Sequence, residues 1–70
     1  MGFLERMMTS TMVATVGATI EVASTEKLMR HYSTTQEALM MTDDNICYWK
    51  LMTLQGKITD ELKKRGVMNE

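Results

Sequence analysis

One cysteine, Cys47, and one histidine, His31, are all that 70 residues offer of the residue types that close small folds covalently or through soft metals. A single cysteine excludes an internal disulfide, and Cys47 with His31 falls short of the four ligands of a closed zinc site. Charge of one sign is equally scarce. Eight basic residues against nine acidic leave a formal net charge of −1, which is no electrostatic footprint for nucleic acid or an anionic membrane surface. Long hydrophobic runs are missing too. The best candidate, 7–23, is broken by Thr9, Ser10, Thr11, Thr15, Thr19 and Glu21, whereas a membrane span needs about 20 mostly apolar residues. A signal peptide fits poorly, because Glu5 stands where a basic segment belongs. Gly2 is placed for myristoylation, but Arg6 occupies the position where Ser or Thr is required. The expectation is a soluble chain in a cytoplasmic, reducing compartment.

What is abundant is methionine, with nine residues. Its flexible, polarizable side chain suits irregular packing and adaptable contact surfaces. One small domain, 1–70, is expected, with an N-terminal segment (1–23) and a helical part (24–70). A core of this size supplies only about 3–5 kcal/mol of net stability. With no disulfide to help, association with a protein partner is the expected complement.

The strongest local pattern runs from Thr42 to Gly66. Thr42 reads as an N-cap, with Asp43 and Asp44 in the first turn, where negative charge complements the helix dipole. Lys63, Lys64 and Arg65 place positive charge at the far end. Gly66 then stands where a left-handed residue closes a helix, and Val67 where a Schellman motif folds back on Leu62. Cys47, Leu51, Leu54, Ile58 and Leu62 form one apolar stripe at four-three-four spacing. Trp49, Met52 and Gly56 lie roughly opposite it. One helical neighbour cannot cover both faces.

A second helix is expected from about 25 to 41. Ser24 or Thr25 caps it, Glu26 sits in its first turn, and Leu28, Tyr32, Thr35 and Leu39 repeat the same spacing, flanked by Met29 and Met40. Ser33 with Gln36 resembles a capping box, which marks a possible break near Tyr32. Matching stripes joined by a short connection predict an antiparallel helical hairpin, about 25–41 and 43–65.

The N-terminal part reads differently. Residues 2–8 have a short helical period. From about 11 to 23 the even positions Met12, Ala14, Val16, Ala18, Ile20 and Val22 are apolar, and the odd positions Thr11, Thr15, Gly17, Thr19 and Glu21 are polar or bare. Alternation with many Thr, Val and Ile predicts a strand-like segment. The alternative is an all-α three-helix arrangement, since Ser10, Ala14, Ala18 and Thr11, Thr15, Thr19 recur every four residues.

Little here reads as chemistry. Cys47 with His31 as base lacks a Gly-rich turn and a group to orient the histidine, and Cys47 lies on a packing stripe. Asp43, Asp44 and Asn45 show no calcium-loop spacing. No catalytic residue, metal or cofactor is expected, and no small-molecule substrate. Tryptophan is enriched at binding hot spots, so Trp49 leads the expected interface, with Met52, Gly56, Met29 and Met40. The reading is a mainly α, non-enzymatic protein–protein interaction module, self-associating or docking on a larger assembly. The alternative is dimeric DNA binding: the order strand, helix, helix over 18–66 resembles the ribbon–helix–helix family. That resemblance implies paired strands from two protomers, with Thr19, Glu21 and Ala23 toward the DNA groove. Glu21 carries the wrong sign for phosphate.

Overall fold

The computed structural model describes residues 2–67, which form three helices and no strand. They are α1 (Gly2–Thr19), α2 (Thr25–Met41) and α3 (Asn45–Lys64). The arrangement is therefore all-α. The strand-like segment expected at 11–23 is corrected: most of it belongs to α1, and Ile20 to Ala23 form the turn that follows.

The reason is backbone hydrogen bonding. A lone strand leaves its N–H and C=O groups without partners, whereas a helix satisfies them locally. The threonines that favoured extension also adapt to the helix. Thr11 donates to the Met7 carbonyl at 3.0 Å and Thr19 to the Thr15 carbonyl at 3.2 Å. The apparent period of two came from small residues. Ala14, Ala18 and Val22 are exposed, while Val16 and Ile20 are buried and Met12 packs beside them, at intervals of four.

Helix α3 is the central element. α1 and α2 each pack along it and scarcely meet one another. Its stripe behaves as the spacing predicts, with Cys47, Leu51, Leu54, Ile58 and Leu62 all buried. The contiguous core joins Val16 and Ile20 of the first segment, Leu28 of α2, and Leu54, Ile58 and Leu62 of α3. α2 is continuous through Tyr32. Thr35 is fully buried there, and its hydroxyl donates to the His31 carbonyl at 2.8 Å rather than breaking the helix.

Cross-helix hydrogen bonds give the layout. Along α1 and α3, Arg6 meets Asp44, Ser10 meets Lys50, and Arg65 reaches the carbonyls of Ile20 and Glu21. Between α2 and α3, Gln36 meets Gln55 and Thr25 meets Arg65. Arg65 thus ties the end of α3 to the α1–α2 turn, and it also pairs with Glu61 at 3.0 Å. The core closes at this end. At the other end α1 and α2 flank a groove floored by Leu51, bridged by the hydrogen bond from Thr42 to Glu5.

The start of α3 differs from expectation. Its N-cap is Asp44, not Thr42: Asp44 Oδ1 accepts from the backbone N–H groups of Ile46 (2.8 Å) and Cys47 (3.2 Å). Thr42 instead ends α2, accepts from the Asp44 N–H, and donates its hydroxyl to the Glu5 carboxylate. Aspartate ranks above threonine as a cap, and here one carboxylate oxygen serves two orphaned donors. Partial burial raises the Asp44 carboxyl. The Cys47 N–H, the Arg6 guanidinium and the Ile46 N–H outweigh that and hold it below its ordinary value of 3.8. The stabilisation is therefore complete above that value and is lost as pH falls through the lowered native one. At neutral pH, Asp44→Ala is expected to cost about 0.5–2 kcal/mol, while exposed Asp43→Ala costs a few tenths. Urea denaturation of the two variants checks this; equal losses would place the cap elsewhere. The other end closes as expected. Gly66 has φ +77°, its N–H donates to the Lys63 carbonyl, and the Val67 N–H donates to the Leu62 carbonyl, completing a Schellman motif.

Candidate interaction surface

Exposed apolar side chains gather at the open end of the molecule. α1 contributes Leu4, Met7 and Met8; α2 ends in Met40 and Met41; α3 begins with Ile46, Tyr48, Trp49 and Met52. The charged side chains of the last turns of α3, Lys63, Lys64 and Arg65, stand at the opposite end.

Two surfaces make up this end. The first is the outer face of α3, opposite its buried stripe. Trp49 is 68 % exposed there, edge-on to Tyr48 with ring centroids 6.3 Å apart. Met52 is exposed on the same face. Nothing lies within 4 Å of a side chain added at Gly56, so this glycine leaves open surface rather than seating an internal neighbour. The hydrogen bond from Gln55 to Gln36, 2.6 Å, marks the seam with α2. Met40, one turn beyond Gln36, and Met52, one turn before Gln55, border that seam at the open end. Helix geometry thus groups Trp49, Met52, Gly56 and Met40. Met29 shares the side of α2 that carries Met40 but lies eleven positions earlier, about 16 Å along the axis, nearer the closed end.

The second surface is the groove between α1 and α2. Glu5, Met8, Thr9 and Met12 form one wall, Ala38, Met41 and Thr42 the other, and Leu51 the floor, around a volume of about 480 Å³. A second apolar depression adjoins it on α1, lined by Leu4, Met7, Met8, Thr11, Met12, Thr15 and Val16. No charged residue occurs between Arg6 and Glu21, so this stretch of helix is uncharged on its exposed side as well as its buried one. Sequence reading named none of these α1 residues as surface, because it gave 2–8 a short helical period but took 11–23 as extended, which left no continuous helical face. The helical signal was present: with Met12, Val16 and Ile20 inward, Leu4, Met7, Thr11 and Thr15 must face out.

His31 is half-buried on α2, and Cys47 lies far along α3 from the closed end that His31's neighbourhood approaches. Among the described residues no helix is long and apolar enough to cross a membrane. Set beside known families, characterised proteins and solved structures, the chain matches none of them.

Proposed function

We propose that this chain is a small non-enzymatic protein–protein interaction module that binds through its open, methionine-rich end. One observation carries the reading: large apolar side chains of all three helices are exposed at that end, Met8 and Met41 along the groove and Met40, Trp49 and Met52 toward the outer face of α3. Contiguous exposed apolar surface on a small soluble domain marks contact sites, and methionine and tryptophan are typical of adaptable ones. Within the fold, the Gln36–Gln55 and Thr25–Arg65 contacts support reading α2 and α3 as an antiparallel hairpin. The partner is a protein, either a second copy or a larger assembly. A reducing, cytoplasmic setting accords with Cys47 being free and buried.

Solution mass over a dilution series tests self-association directly. Mass rising above the 8.0 kDa monomer with concentration supports a second copy as partner. A folded chain that stays monomeric throughout leaves docking on a larger protein.

DNA binding makes a separate prediction. The ribbon–helix–helix layout needs a strand before α2, where α1 and a turn stand instead. Duplex titration at physiological salt should give no detectable binding, because too few basic residues are grouped to release counterions. Submicromolar binding with a steep salt dependence would reverse the ranking.

A further inference from the structure

We propose that Glu5, Asp44 and Cys47 form a zinc site that clips α1 to the start of α3. A carboxylate oxygen of Glu5, one of Asp44 and the Cys47 sulfur all lie within 4.8 Å of one another. The carboxylates come from different helices. The third group is the one that points to a ligand: Cys47 is 0 % exposed, and its thiol makes no hydrogen bond among the described residues although two carboxylates stand beside it.

The coordination capacity of the carboxylates is not used up. A carboxylate has about four acceptor sites. Asp44 uses two on Oδ1, for Ile46 and Cys47, and one on Oδ2, for Arg6 at 2.8 Å. Glu5 accepts from the Thr42 hydroxyl through Oε2 alone. Thr42 and Arg6 thereby stand as the outer partners that orient ligating carboxylates.

The donor set selects the metal. Zinc takes thiolate at about 2.3 Å and carboxylate at about 2.0–2.2 Å in tetrahedral sites, whereas calcium and magnesium want oxygen throughout. At such bond lengths neighbouring ligand atoms stand about 3–4 Å apart, so the cluster need contract by no more than about 1–2 Å. On binding, the Cys47 S–H bond breaks, its proton leaves to solvent, and the sulfur electron pair forms the zinc bond. Two carboxylates and one thiolate against the dication leave one negative charge, which Arg6 balances. Three protein ligands leave the fourth position to water. The clip would act at the end of the groove lined by Glu5 and Thr42, and would fix α1 to the start of α3 there. Metals supply this kind of support in domains too small for a sufficient core.

Cobalt(II) chloride titrated into the reduced full-length chain is the first test. The expected result is one equivalent bound with a thiolate-to-cobalt charge-transfer absorption, lost on adding zinc chloride, with a raised melting temperature in zinc. Glu5→Gln, at a half-exposed position outside the core, should fold normally and weaken zinc binding at least tenfold. Thr42→Ala should weaken it by about 10–100-fold through the outer partner. His31→Ala should change nothing. Absence of the charge-transfer band in the folded wild-type chain would overturn the proposal. So would a Glu5→Gln variant that binds zinc as tightly as wild type, whatever Cys47→Ser does to folding.

Discussion

Leu54→Ala should abolish most of the stability of the chain. Leu54 is 1 % exposed and packs in the core cluster that joins all three helical segments, with Val16, Ile20, Leu28 and Ile58. Removing a buried leucine side chain costs its transfer free energy plus a cavity term, about 2–5 kcal/mol together. The net stability available to a domain of this size is about 3–5 kcal/mol. The loss therefore rivals the whole, and a thermal melt followed by far-ultraviolet circular dichroism should show a variant largely unfolded near room temperature. A melt close to wild type would mean that the α3 stripe is not the core, and that the helices hold together by other contacts.

The core was legible in advance because it is written in one helix. Cys47, Leu51, Leu54, Ile58 and Leu62 recur with the helical period between strong end signals, and all are buried. Gly66 and Val67 close that helix through short-range bonds that depend on neighbouring residues alone. The N-terminal segment was harder for a physical reason. Alanine is apolar on any hydropathy pattern yet contributes little to burial, so Ala14 and Ala18 filled out an alternation that the packing ignores. The cap was misplaced by two residues because Thr42 and Asp44 are both capable caps, and the choice turned on Glu5, which occupies the Thr42 hydroxyl. Nothing local ties Glu5 to Thr42, Asp44 or Cys47. Their meeting depends on α1 lying along α3, which no single-segment pattern contains. The outer face of α3 was legible for the same reason as the core: the period of α3 sets Trp49, Met52 and Gly56 opposite the buried stripe, whereas the groove is lined by two separate helices and Leu51 of a third.

Trp49→Ala is expected to separate binding from folding. The side chain stands 68 % exposed on the outer face of α3, its ring neighbour is Tyr48, and it belongs to no core contact. Surface substitutions outside special features change stability by about 0.5 kcal/mol or less. The melting curve should therefore stay close to wild type. Association should not. A tryptophan at the centre of a contact surface contributes about 2 kcal/mol or more when truncated, which is about thirtyfold in a dissociation constant. Gly56 sharpens the comparison. It costs about 1 kcal/mol relative to alanine inside a helix, and nothing in the chain fills the space above it. Gly56→Ala should raise the melting temperature of the isolated chain while weakening binding, provided a partner approaches that surface closely. Solution mass and melting temperature, measured for both variants on the same samples, give the answer. Unchanged association in Trp49→Ala would remove the α3 face from the interface and leave the α1–α2 groove as the binding surface.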